Sequence, residues 1–306
     1  MVETSLIIGN APVSWGVYTS EPRLGENPPY GVVMDGIAQA GYAATELGPY
    51  GYYPTAAPAL GQELARRGLQ LASSYVALPL DQPDAVVQRL PLLDQVCALL
   101  HAFRVPYVMV AADATPAREA IAGSVAADGS DSWTAAEWAR VEESLQAVTE
   151  VVRRYAGLRI AFHHEASSPV ETPDEIERLL TVADPELVGL CLDTGHAVYG
   201  GGDAAELARR HARRVWYVHL KDVWPDKLAH VRRERLPAPQ AWAMGIFAEL
   251  GQGCVNVPRV VEQLLRNSYK GLIIVEQDIV ATGSDRSQAL ASAMASRAYL
   301  RREFGW

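Results

Sequence analysis

Four stretches of the chain carry side chains able to bind a metal ion: FHHEA at 162–166, LDTGH at 192–196, VHLKD at 218–222 and VEQD at 275–278. Their carboxylates and imidazoles together suit Mn²⁺, Co²⁺, Zn²⁺ or Mg²⁺. A divalent ion on a ketone oxygen acts as a Lewis acid, which makes the proton on the neighbouring carbon removable. If a hydroxyl then leaves the next carbon, the reaction is a dehydration; if the carbanion is reprotonated, it is an isomerisation or epimerisation. Polar residues also sit at strand ends simply because loops begin there, but four such ends in one chain weigh against that explanation.

Each stretch closes a short apolar run, and alternation along a strand assigns the faces. In RIAFHHE, Ile160 and Phe162 turn outward toward helices, so Ala161, His163 and Glu165 turn inward and His164 faces away into packing. Asp193 lies at the end of its run, and His196, three residues on, reaches back over the strand ends. His219 and Lys221 share a face, and Asp278 follows Glu276 on the same side. Asn10 and Glu46 end two earlier runs, where they meet substrate hydroxyls or serve as loop caps. Trp15, Tyr50, Tyr52 and Tyr53 either wall a pocket or pack. Lys221 neutralises developing negative charge or stays ion-paired, and Arg232 and Arg233, interleaved with Glu, read as a salt-bridged surface.

The elements that must position these residues alternate. Apolar, β-branched-rich runs at 5–9, 43–47, 69–75, 106–111, 158–163, 187–192, 215–219 and 271–276 read as strands. Amphipathic segments at 31–40, 58–67, 84–103, 134–155, 172–182, 204–213, 257–267 and 285–302 read as helices. Eight strand-then-helix units with no long linker predict one α/β domain over 1–306, a single (β/α)₈ TIM barrel. Insertions near 113–133 and 224–253, and the aromatic, Pro-rich 48–58, all follow strands and project over the C-terminal mouth.

Hydrophobic residues make up 49% of the 306 and charged residues 21%, ordinary for a globular chain with a large core. The formal net charge of −9 opposes a surface built to collect phosphates, so no nucleic acid is expected as a partner. Cys97, Cys191 and Cys254 are too few and too scattered for a disulfide framework or a close-spaced zinc pattern, which fits a reducing cytoplasm. The opening MVETSLIIGNAPVSWG has no basic leader with a long apolar stretch, and no run of about 18 apolar residues occurs, so no membrane is expected. Neither a Walker-type nor a G-x-G-x-x-G phosphate loop is present. Barrels of this size often pair, and homo-oligomerisation stays open.

The sequence resembles the xylose-isomerase-like superfamily of sugar isomerase and epimerase barrels, the AP endonuclease family 2, which also includes endonuclease IV. The likeness is greatest to inosose dehydratase-like proteins. It rests on NAPVSWG at 10–16, TELGPYGYYP at 45–54, FHHEASSPVET at 162–172, LVGLCLDTGHAVYGGGD at 187–203, VHLKDV at 218–223 and the GQG at 251–253. The superfamily usually takes Glu, Asp, His and Glu from its fifth to eighth strands as ligands of one divalent metal ion. Carried over, Asp193, His219 and Glu276 match directly, whereas the fifth strand has His163 where most members have Glu. A carboxylate follows two residues later as Glu165, where the dehydratase relatives more often carry His. His163 is therefore read as the ligand and Glu165 as the proton-abstracting base, with the exchanged assignment as the alternative.

The resemblance implies a metal-dependent lyase acting on a small polyhydroxylated ketone, a keto-cyclitol such as inosose or a keto-sugar, through a metal-stabilised enediolate. Catalysis falls to Glu165 and His196, and substrate contacts to Asn10, Trp15, Glu46 and Lys221. The alternative is a ketose isomerase or epimerase on the same metal site. A DNA-repair reading like endonuclease IV needs several more histidines than the seven present, and three of these, His101, His211 and His230, fall in helices or insertions. A non-catalytic sugar-binding barrel is the remaining reading.

Overall fold

A computed structural model describes residues 6–18, 27–280 and 287–306. The expected strand start at Ser5 and helix start at Asp285 lie outside the described residues. The strands are β1 (Ile7–Asn10), β2 (Ala44–Thr45), β3 (Gln70–Leu71), β4 (Tyr75–Leu78), β5 (Tyr107–Ala112), β6 (Arg159–His163), β7 (Val188–Asp193), β8 (Val215–Leu220), β9 (Asp222–Val223), β10 (Phe247–Ala248) and β11 (Leu272–Val275). The helices are α1 (Tyr30–Gln39), α2 (Ala57–Arg67), α3 (Pro83–Ala102), α4 (Pro116–Ile121), α5 (Ala135–Val152), α6 (Pro173–Val182), α7 (Thr194–Tyr199), α8 (Ala204–Arg210), α9 (Pro225–Glu234), α10 (Ala238–Ala243), α11 (Val257–Arg266) and α12 (Ser287–Phe304).

Nine strands form one sheet in the order β3-β2-β1-β11-β8-β7-β6-β5-β4, every recorded pairing parallel. Its two ends, β3 and β4, follow each other in the chain, so the sheet closes on itself as a TIM barrel. The sequence reading placed one strand at 69–75. In the structure that strand breaks and runs on to Leu78, because Ser73 and Ser74 turn their carbonyls to opposite neighbours. Ser73 O accepts from Leu47 N at 2.9 Å, and Ser74 O accepts from Met109 N at 3.0 Å.

Side-chain size explains how the barrel fills. Ala44 and Ala161 on strands, with Ala11 and Ala72 just past the ends of β1 and β3, pack with Met109, Cys191, Tyr217 and Ile274, a small-against-large interior. Gly9 leaves room where a Cβ would strike Ile274 and the Ala44 carbonyl. The opposite strand faces, with Phe162, Leu190 and Val218, join the larger core under the helices. All six residues of β7 are buried, as both faces of a parallel strand are covered. Helix starts follow the local chemistry: Thr134 with Glu137 and Thr172 with Glu175 form capping boxes, and Pro173 and Pro225 supply the first residues of α6 and α9.

The segment 113–133 holds α4, and 224–253 holds α9, α10 and β10, which pairs antiparallel with β9. Buried polar groups tie the first insertion down. Arg118 donates to both oxygens of Glu175 at 2.7 and 3.0 Å, while Glu171 accepts from Gly123 N at 2.6 Å and from Ser167 N at 3.0 Å. From the second insertion Arg232 donates to the carbonyls of Gly123, Val198 and Tyr199, joining the two at one side of the mouth. Asp222 organises the GQG loop: its carboxylate accepts from the N–H groups of Val223, Gly251, Gly253 and Val255. No described helix is long and apolar enough to cross a membrane.

Candidate metal centre

Adjacent strands β6, β7, β8 and β11 bring His163, Asp193, His219 and Glu276 together at the mouth, with one donor atom of each lying within 4.8 Å of the others. All four are buried. Asp193 caps α7 with Oδ1, which accepts from His196 N at 2.8 Å, and its Oδ2 is left facing the cluster. His219 is oriented from behind: its Nε2 lies 2.8 Å from Glu46 Oε1, which also accepts from the Tyr217 hydroxyl at 2.9 Å. Its Nδ1 therefore points inward, 3.0 Å from Glu276 Oε2 and 3.7 Å from Asp193 Oδ2. A partner that fixes ring orientation in this way is the usual support for a ligating imidazole.

Both ring nitrogens of His163, Nδ1 of His219 and Oδ2 of Asp193 are buried and make no well-formed hydrogen bond, their nearest polar neighbours being one another, Glu165, Glu276 and Lys221. Buried polar atoms are rarely left so, and four converging on one point fit a cation better than they fit packing. Two imidazoles and two carboxylates make a donor set that Mn²⁺, Co²⁺, Zn²⁺ and Mg²⁺ can all accept. Burial would raise the Glu276 carboxyl, but His219 and Lys221 hold it down at about 2, ionised as a ligand must be.

Around this cluster lie the groups that would do the work. Glu165, two residues beyond His163 on the inward face, accepts from the Tyr75 hydroxyl at 2.9 Å through Oε1, with Oε2 3.5 Å from His163 Nδ1. Lys221 is fully buried, its Nζ 3.2 Å from Asp193, 3.2 Å from Glu276 and 2.9 Å from Asp278. Burial alone would discharge it, yet those three carboxylates hold its pKa well above the ordinary lysine value. His196 Nε2 sits 3.0 Å from that ammonium, and its Nδ1 accepts from Ala166 N at 3.2 Å. Burial and the Lys221 charge keep the ring neutral. A neutral imidazole accepts at one nitrogen only, so one of its two donor neighbours faces an N–H, and an oxygen arriving between Lys221 and His196 relieves that conflict.

His163, Glu165, His196, His219, Lys221, Glu276 and Asp278, though not Asp193, line a cavity of about 890 Å³ that also touches Tyr50, Tyr75, Arg89, Asp113 and Trp242. Two residues expected at the substrate lie off this cavity. Asn10 and Trp15 are not among its lining residues. Asn10 Nδ2 donates to Val275 O at 2.7 Å, tying β1 to β11, and its Oδ1 accepts from Trp15 Nε1 at 2.7 Å. The 3-10 turn Pro12–Trp15 folds the indole down against α1, where Gly36 has no Cβ to collide with it. Glu46 does line the cavity while it orients His219, Tyr52 and Tyr53 stack on each other, and His164 accepts from Asp193 N at 3.2 Å from the outer face. Sequence reasoning gave no role to Tyr75, to Phe247 or to Trp242, whose ring lies 6.3 Å from His196 and 5.4 Å from Phe247. The strand alternation that turned His163 inward signals Tyr75 too, once the strand is carried to Leu78; nothing local signals Trp242.

The family model described as xylose isomerase-like TIM barrel matches residues 34–302. An inosose dehydratase of Geobacillus kaustophilus (strain HTA426) is 33% identical over 279 residues, 89% of this chain and 87% of its own. The rhizopine catabolism protein MocC of Rhizobium meliloti is 33% identical over 274 residues, 90% of this chain and 82% of its own. Among solved structures, the probable 3-DHS dehydratase AsbF from Bacillus anthracis superposes with a TM-score of 0.68 at 13% identity, covering 96% of this chain and 98% of that one. D-allulose 3-epimerase from Methylomonas sp. in complex with D-allulose does so with a TM-score of 0.68 at 16% identity, covering 98% of each chain. At such identities the superpositions speak for the barrel alone, whereas the family match and the relatives at a third identity extend over most of the sequence, and by them the chain belongs to the xylose isomerase-like TIM barrel family.

Proposed function

We propose that the protein is a divalent-metal-dependent lyase that dehydrates a small polyhydroxylated ketone, a keto-cyclitol of the inosose kind or a related keto-sugar, in the cytoplasm. The observation that carries this reading is the convergence of buried donor atoms from His163, Asp193, His219 and Glu276 within 4.8 Å of one another, next to a base and a charged lysine. The inosose dehydratase relatives, 30–33% identical over 88–99% of the chain in five of the matches, support the substrate class.

An ion bound by the four residues supplies the Lewis acid that polarises the ketone and stabilises the charge left by proton loss. Glu165, held by the Tyr75 hydroxyl at the cavity wall, takes the proton from the α-carbon. The electron pair of that C–H bond becomes the new C=C bond as the C–O bond to the β-hydroxyl breaks. Lys221, beside the His196 edge, gives a proton to that hydroxyl so that it leaves as water, and the proton taken up by Glu165 passes to solvent as the ammonium is restored. Trp242, over His196, narrows access of bulk water to that exchange.

Incubation of Mn²⁺-loaded protein with keto-inositols and ketohexoses, followed by mass spectrometry, tests the reading. The expected product has lost one water and absorbs in the ultraviolet. A product of unchanged mass would assign the epimerase alternative, because the same base and ion also permit reprotonation.

A further inference from the structure

We propose that Cys191 gives the centre a second, deeper metal position, formed with His163 and His219 and selective for thiophilic divalent ions such as Zn²⁺ or Cd²⁺. The inference rests on the reading of the two histidines as metal ligands. Cys191 lies on β7 two residues before Asp193, so its side chain shares the inward face one layer further from the mouth. It pairs in register with His163 on β6 and with Tyr217 on β8, two residues before His219. Its thiol and a ring nitrogen of each histidine lie within 4.8 Å of one another.

The imidazoles have donor capacity to spare here: both nitrogens of His163 are buried with no well-formed hydrogen bond, while Nδ1 of His219 is shared with Glu276 at 3.0 Å. Little else polar competes in that layer, since the Tyr217 hydroxyl is committed to Glu46 and the remaining neighbours, Ala161 and Met109, are apolar. The set of two imidazoles and one thiol is a Zn²⁺ or Cd²⁺ set, while the outer set of imidazoles and carboxylates also takes Mg²⁺ and Mn²⁺.

Coordination exchanges the thiol proton for the ion: the S–H bond breaks, a sulfur–metal bond forms, and one proton goes to solvent. Both positions use His163 and His219, so they cannot be filled together. A thiophilic ion is therefore drawn inward, away from Glu165 and from the cavity where a ketone binds, and the enzyme holding it is inactive. Hard ions gain little from sulfur and stay at the outer position.

Cd²⁺ titration followed by the thiolate-to-metal charge-transfer band in the ultraviolet tests this, in a Cys254→Ser background because Cys254 is the exposed thiol. The band is expected to rise to one equivalent, to vanish on adding Cys191→Ser or Cys191→Ala, and to leave Mn²⁺ binding intact in those variants. Cd²⁺ bound at one equivalent with no band overturns the deeper position and leaves the metal-centre reading standing. Failure of both Mn²⁺ and Cd²⁺ to bind overturns both. A Cd²⁺ band that persists in Asp193→Ala while Mn²⁺ binding is lost supports two distinct positions.

Discussion

Asp193 divides one carboxylate between two tasks, capping α7 with Oδ1 and facing the metal cluster with Oδ2. Asp193→Ala should therefore lose bound metal and turnover together, with a separate loss of about 1 kcal/mol from the missing cap; elemental analysis showing full metal occupancy would refute the ligand assignment. Asp193→Asn, which keeps the cap, separates the two effects. Glu165 sits beside the cluster, so Glu165→Gln should keep its metal while turnover falls by roughly 10² to 10⁴, as for loss of general-base catalysis. Exchange of solvent deuterium into the substrate α-carbon should cease with it, and exchange at the wild-type rate would hand the role to another residue. The inward placement of His163, Glu165, Asp193, His219 and Glu276 was legible in the sequence because strand alternation fixes which side chains face the barrel axis. Trp15 lies in a 3-10 turn, which strand alternation does not govern and which sends the indole down onto α1, while Asn10 at the end of β1 is taken up by Val275 O and that indole.

At the scale of elements, the alternation of apolar runs and amphipathic segments located the eight barrel strands to within a few residues, apart from the break at Ser73–Ser74. Unread were the short helices α4, α7 and α10, while α9 showed only as the Arg and Glu alternation around Arg232 and Arg233. They are 6 to 10 residues long, and a helix so short is held by tertiary contacts that leave no periodic pattern to read. For α4 the holding contacts are the Arg118 bonds to Glu175, both partners nearly inaccessible. Arg118→Met strips the guanidinium from two buried carboxylates, Glu171 and Glu175. An unpaired buried charge costs about 3–5 kcal/mol, so the variant should unfold at lower temperature and be cut by protease within 113–133 before anywhere else. Unchanged melting and an unchanged cleavage pattern would show that packing alone holds the insertion.

The same carboxylates shape the stability of the molecule as a whole. Burial raises Glu171 from 4.5 to about 6, against the pull of the Gly123 and Ser167 N–H groups and of Arg118. The folded state thus holds this proton more tightly than the unfolded chain. The resulting stabilisation is complete below pH 4.5 and is lost as pH rises through about 6, a change of about 2 kcal/mol. Glu171→Gln should remove that slope from the pH profile of urea unfolding, and equal slopes in both proteins would refute it. On the same scale, every metal-facing side chain comes from the contiguous strands β6, β7, β8 and β11, while the far wall, with Tyr50, Tyr75, Arg89 and Asp113, comes from β4 and the segments that follow β2, β4 and β5. The metal-facing side chains and most of the opposite wall are thereby drawn from separate parts of one barrel, with Tyr75 and Glu46 reaching across to Glu165 and His219. Substitutions at Tyr50, Arg89 or Asp113 can therefore reshape the cavity while the four metal-facing side chains stay as they are, whereas a change at Tyr75 reaches Glu165 as well.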